Sequence, residues 1–139
     1  MTQERVQRIA LVGGGVIGGG WAARCLANGL EVVLTDPRAE ARDYVEKTIA
    51  DAWPVLEAAG LTDTGDRSRL YFADDIGAAV AQADFIQENV PEREALKIEV
   101  HEEISRHAKS DTIIASSSSG LLPSRLQSRC RHPERLVIG

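Results

Sequence analysis

Three glycines, Gly13, Gly15 and Gly18, stand at the spacing G-x-G-x-x-G within the stretch IALVGGGVIGGGWA, which runs from Ile9 to Ala22. Bare backbone at that spacing has a use. The first glycine permits a tight turn, the second lets the main chain approach a pyrophosphate, and the third lets a following helix pack close to a sheet. The phosphates then rest on the helix start at Val16 and Ile17, where free N–H groups and the helix dipole favour negative charge. Asp36 follows at the end of the next apolar run, where a carboxylate can accept both hydroxyls of an adenosine ribose. Together these residues point to a dinucleotide, and Asp36 points to NAD over NADP, because a carboxylate there repels a 2′-phosphate. Arg38 lies nearby but follows Pro37, and it is not expected to reach back.

These residues need elements to hold them. RIALV (Arg8 to Val12) is a short apolar run ending in glycines and reads as a buried strand. From Val16, residues Ile17, Trp21, Ala22, Cys25 and Leu26 form an apolar stripe at helical period, closed by Asn28-Gly29. EVVLT (Glu31 to Thr35) is a second strand, stopped by Asp36-Pro37. A long helix is predicted from about Ala39 to Ala59, with Val45, Ile49, Trp53 and Leu56 inward and Pro54 kinking it or opening a second helix. RLYFADD and ADFIQEN are the third and fourth strands, with a short helix around Ile76 to Ala81 between them. Pro91 suits the first turn of a helix reaching about His107, with Ala95, Ile98 and Val100 inward. DTIIASSS and ERLVIG supply the fifth and sixth strands. Strands alternating with helices imply an α/β, doubly wound Rossmann fold: a mostly parallel six-stranded sheet with helices on both faces. Ligands of such sheets lie beyond the carboxyl ends of the strands, which gathers the glycines, Asp36, Asn89 and the serine run on one edge. Gly19 and Gly20 fall outside the fingerprint and cost a helix about 1 kcal/mol each relative to alanine, so close packing against another segment is expected there.

A chain of 139 residues with net charge −5 has room for one domain and shows no basic cluster. This argues against nucleic acid and anionic membrane as partners and favours a small soluble ligand. No stretch approaches the roughly 18 apolar residues of a membrane span, and the polar MTQERVQR is followed by a run too short for a signal core. With only Cys25 and Cys130, in unlike settings, reduced thiols and a cytoplasmic location are expected. His101 and His107 lie six residues apart on one helix and His132 in a loop, without metal-ligand spacing, so no metal site is expected. Trp21 and Trp53 read as packing aromatics, and Cys25 as an inert core thiol.

The stretches GGGVIGGGWA, ADFIQENVPEREALK, IIASSSSGLLPS and HPERLVIG resemble the NAD-binding half of the 3-hydroxyacyl-CoA dehydrogenase family. Within it, DAWPVLEAAGL and RLYF are most similar to the carnitine 3-dehydrogenase branch, while gulonate 3-dehydrogenase-like proteins share the Gln-Glu and serine-rich stretches. The resemblance implies four further roles. Glu88 falls beside the nicotinamide ribose, Arg93 where many members carry a lysine near the cofactor, and Ser119 on the serine that hydrogen-bonds the substrate's 3-oxygen, making it the catalytic candidate. Ser117 stands near the nicotinamide, where acyl-CoA-specific relatives have asparagine. The implied reaction is NAD-linked oxidation of the 3-hydroxyl of carnitine, a similar 3-hydroxy acid or a 3-hydroxyacyl-CoA, in a homodimer.

The family's catalytic histidine opens a His-Pro-x-Asn-Pro stretch directly after a strand like VIG, and this sequence stops at Gly139. The expectation is therefore a cofactor-binding domain over residues 1–139, with the histidine and the helical substrate and dimerisation domain outside it, and no turnover by the chain alone. The alternative is a non-catalytic dinucleotide-binding module that needs a helical partner domain.

Overall fold

The structure, a computed structural model, describes residues 6–139; the first five residues of the polar N-terminal stretch lie outside the described residues. Six strands form one sheet: β1 (Arg8–Val12), β2 (Glu31–Thr35), β3 (Leu70–Phe72), β4 (Phe85–Glu88), β5 (Ile113–Ser116) and β6 (Leu136–Ile138). Every pairing is parallel, and the order is β3-β2-β1-β4-β5-β6. The expected doubly wound fold is thus present, with the sheet wholly rather than mostly parallel.

The helices are α1 (Val16–Ala27), α2 (Ala41–Ala58), α3 (Ile76–Val80), α4 (Glu94–His107) and α5 (Pro123–Leu126). Successive side chains of a strand point to opposite faces, and β1 serves a core on each. Ile9 and Leu11 pack with Leu26, Val32, Leu34, Val45 and Ile49 on the face of α1 and α2. Ala10 and Val12 pack with Val80, Ile86, Val100 and Ile104 on the face of α3 and α4. Burial on both faces is why β1 reads as an unbroken apolar run rather than an alternating one.

Local differences from the sequence reading have physical reasons. α2 runs unbroken through Pro54. Pro54 and Ala50, whose carbonyl loses its helical donor, both face solvent, so water can satisfy that oxygen. α4 starts at Glu94 rather than at Pro91; Arg93 holds an extended backbone and Ala95 is exposed, so the inward face is Lys97, Val100, His101 and Ile104. Gly19 packs against Thr48 of α2, whereas a side chain at Gly20 would meet nothing within 4 Å, so close packing accounts for the first glycine only. Trp21 is 38% exposed, while Trp53 packs on the core. Among the described residues no helix is long and apolar enough to cross a membrane.

Register fixes the functional edge. Val12 is paired with Thr35 on one side and Glu88 on the other, Glu88 with Ser116, and Ser116 with Ile138. One row across the sheet therefore ends beside the glycine turn, Asp36, Asn89 and the serines. β1 and β4 flank the point where the strand order reverses, the usual ligand crevice of such sheets.

Candidate functional site

A cleft of about 880 Å³ opens at that edge. Gly13, Gly15, Val16, Ile17 and Asp36 line one side, and Asn89, Ser117 and Ser119 the other.

The glycine turn is built by close approach. Gly13 takes φ +108, and a Cβ there would lie 2.7 Å from the carbonyl oxygen of Asn89. A Cβ on Gly18 would collide with the carbonyl oxygen of Gly13, so Gly18 serves helix-to-turn packing and lies behind the cleft. Gly15 is different: the only atom near its Cβ position is Arg38 Nη2, at 3.8 Å. Its missing side chain leaves room on the cleft side. No side chain caps α1 and no acidic residue sits in its first turn, so its positive end faces the cleft uncompensated. The side-chain amide of Asn89 is buried with neither Nδ2 nor Oδ1 partnered by protein. A bare turn, an open helix start and an orphaned amide are the features a pyrophosphate-linked dinucleotide would use.

Asp36 closes the far end. Its Oδ2 accepts from Gly14 N at 2.8 Å and from Arg38 Nη2 at 2.8 Å, and its Oδ1 accepts from Arg38 N at 2.8 Å and Arg38 Nε at 3.0 Å. Burial raises the carboxyl pKa, but these bonds and the guanidinium charge outweigh it, and the net shift is downward. Arg38 does reach back, contrary to the sequence reading. Pro37 restricts the backbone between them, and the Arg38 N–H closes an Asx turn onto Asp36.

Glu88 ends β4 but does not face the cleft. It is fully buried, and four donors occupy its carboxylate. Ser116 Oγ (2.6 Å) and His101 Nε2 (2.8 Å) meet Oε1, while Lys97 Nζ (2.6 Å) and the Val90 N–H (2.8 Å) meet Oε2. Burial raises its pKa, but hydrogen bonds from His101, Lys97 and Ser116 together lower it by more, and the net direction is down. The expectation that Glu88 lies against the cofactor is corrected by its placement: the side chain is wholly buried behind the cleft wall and does not line the cleft, whereas Asp36 does. Lys97, which lines the inner wall, was missed in the sequence. His101 and His107 do point to different faces, but His101 is an internal partner of Glu88. The available signal was a lysine and a histidine inside the apolar stripe 97, 100, 101, 104, with an acid ending the preceding strand.

The serines alternate, as an extended segment requires. Ser116 and Ser118 are buried, whereas Ser117 and Ser119 line the cleft. The Ser117 N–H bonds the Glu88 carbonyl at 2.9 Å. Glu92 Oε2 accepts the N–H of Ser119 at 2.8 Å and of Gly120 at 3.3 Å, with Ser119 Oγ at 3.5 Å. The Ser119 N–H foremost, then the Ser118 hydroxyl and the Gly120 N–H, pull the Glu92 carboxyl down to about 2. Arg93 lies outside the cleft, exposed at the start of α4; its neighbours Glu92 and Lys97 line the cleft instead.

Residues 8–139 match the family model described as 3-hydroxyacyl-CoA dehydrogenase, NAD binding domain. An L-carnitine dehydrogenase of Burkholderia mallei is 52% identical over 135 residues, covering 97% of this chain and 42% of that protein. Among solved structures, the NAD+-dependent dismutase 5-formyl-3-hydroxy-2-methylpyridine 4-carboxylic acid 5-dehydrogenase superposes with TM-score 0.85 at 38% identity, covering 96% of this chain and 44% of that one. The 3-hydroxybutyryl-CoA dehydrogenase of Escherichia coli K12 gives TM-score 0.85 at 26% identity, covering 97% and 29%. The chain thus spans less than half the length of these relatives. With the glycine turn, the strand order and the family match in agreement, this chain belongs to the 3-hydroxyacyl-CoA dehydrogenase family, as its NAD-binding domain.

Proposed function

We propose that residues 1–139 are the cofactor half of an NAD-linked dehydrogenase that oxidises the 3-hydroxyl of carnitine or a similar 3-hydroxy acid to the ketone. The observation that carries this reading is the convergence on one cleft of the glycine turn, Asp36 and Ser119. The start of α1 holds the pyrophosphate, Asp36 the adenosine ribose, and Ser117 the nicotinamide end. Bound NAD supplies the hydride acceptor. Ser119 hydrogen-bonds the substrate's 3-oxygen, and Glu92 holds the Ser119 backbone in place. Glu88 acts as a positioning residue through Ser116 and Lys97. The carnitine assignment is supported by the 52% identity to an L-carnitine dehydrogenase.

In this reading the general base, the helical substrate domain and the homodimer contacts come from sequence outside residues 1–139. No histidine lines the cleft among the described residues, and a positioned base contributes about 10²–10⁴-fold to alcohol oxidation. Two free thiols, Cys25 and Cys130, fit a cytoplasmic location. Calorimetry and NADH absorbance test the proposal together. The chain binds NAD but forms no NADH with L-carnitine or 3-hydroxybutyryl-CoA, and a protein extended by a helical domain forms it with one of them. Ser119→Ala lowers that turnover by about a hundredfold. Extended protein that binds NAD yet oxidises neither compound would refute the substrate class, and turnover by residues 1–139 alone would show that the base lies within them.

A further inference from the structure

Arg38 holds Asp36 side-on. Its Nε and Nη2 each donate one hydrogen to the carboxylate. A guanidinium has five N–H donors in a planar fork, so three remain, and among the described residues none of them meets a protein acceptor. The group is 54% exposed on its rim of the cleft. Its Nη2 also lies 3.8 Å from the position a Gly15 side chain would take, which sets the cation between the ribose acid and the phosphate turn. The Asx turn at Asp36 and the ring of Pro37 keep it there.

Asp36 alone would repel a phosphate on the ribose 2′-oxygen. Here its charge is paired at 2.8 Å by a cation whose unused edge presents bidentate donor geometry, the arrangement that suits a phosphate. We propose that Arg38 is a specificity-determining residue of this cleft: its free guanidinium edge receives the 2′-phosphate of NADP, so the chain binds NADP as a second, weaker dinucleotide. The inference rests on the reading that the adenosine ribose sits at Asp36. Asp74 lines the same rim, and together with Asp36 it keeps NAD the tighter ligand. Contact between exposed charges is screened by salt, so the NADP interaction weakens more steeply with ionic strength than the NAD interaction.

Calorimetric titration of the chain with NAD and with NADP, for the parent, Arg38→Ala and Arg38→Lys, tests this. The parent binds both. In Arg38→Ala, the NADP-to-NAD affinity ratio falls by at least about tenfold, the size of one lost charge-assisted hydrogen bond, whatever change the freed Asp36 brings to NAD itself. Arg38→Lys falls between, because it keeps the charge and loses the fork. Arg38 is exposed, and an unchanged melting temperature excludes misfolding. An unchanged NADP-to-NAD ratio overturns the inference, as does a loss shared equally by both ligands, which would assign the guanidinium to the common pyrophosphate. A parent that binds NAD but no NADP also overturns it and leaves the dinucleotide reading standing; a parent that binds neither defeats both.

Discussion

Lys97 Nζ donates to Glu88 Oε2 at 2.6 Å, with the two side chains 1% and 0% exposed, so an ion pair lies inside the wall that separates the cleft from the core of α4. Removing one partner of such a pair strands the other charge, at a cost of about 3–5 kcal/mol. Lys97→Met is therefore expected to lose that much in urea unfolding. Glu88→Gln/Lys97→Met should recover part of the loss, because no ionised carboxylate is then left buried. A Lys97→Met variant as stable as the parent would show that Ser116, His101 and the Val90 N–H satisfy Glu88 without the cation.

The same carboxylate predicts the acid limb of stability. The folded pKa of Glu88 lies below its ordinary 4.5, so below that pH the unfolded chain takes up the proton first. The contribution of Glu88 is thus complete at neutral pH and is lost as pH falls from about 4.5 through the folded value. Melting temperatures between pH 7 and pH 3 should drop, and Glu88→Gln should start lower and flatten that drop. An equally steep limb in the variant would assign acid sensitivity elsewhere, Asp36 and Glu92 being the other lowered carboxyls at the cleft.

Gly15 and Gly18 belong to one motif but should fail differently. Gly15→Val places its side chain into open cleft, near Arg38 Nη2 alone. Circular dichroism should match the parent while dinucleotide binding is abolished. Gly18→Ala drives a Cβ into the carbonyl of Gly13, and overpacking of that kind costs about 1–3 kcal/mol or more, so it should lower the melting temperature outright. Unchanged NAD affinity in Gly15→Val would reduce the turn to a structural role.

Asp36→Ala should weaken NAD and narrow the gap to NADP, since it removes the ribose acceptor and the charge that disfavours the 2′-phosphate. It also releases Arg38, whose guanidinium then faces the ribose site alone. Equal or tighter binding of NADP by the parent chain would contradict the assigned role of Asp36.

The sequence by itself determined the fold and the phosphate turn, because both are written in local terms. β1 and β2 were legible residue for residue as apolar runs between breakers, and the helix from Val16 ends at Asn28 with Gly29 at φ +79 as its spacing implies. The glycine fingerprint carries much of its own geometry, since Gly13 answers to the adjacent strand end at Asn89 and Gly18 to Gly13 itself, while Gly15 leaves open cleft. The placement of Glu88, Lys97 and His101 was decided by tertiary structure alone. Side-chain type cannot tell whether an acid at a strand end points to a cleft or to a helix packed behind it; the register of β4 against β5 and the rotation of α4 settle that. Once burial had removed water from Glu88, the Val90 N–H beside it was not enough, and the other donors that hold its charge come from another strand and a helix, which no local pattern specifies. The reach of Arg38 back to Asp36 follows from the same cause: a side chain's partner depends on where folding leaves an unpaired charge, which its neighbours in sequence do not record; Arg93 stays outside the cleft because α4 starts after it and leaves it extended and exposed.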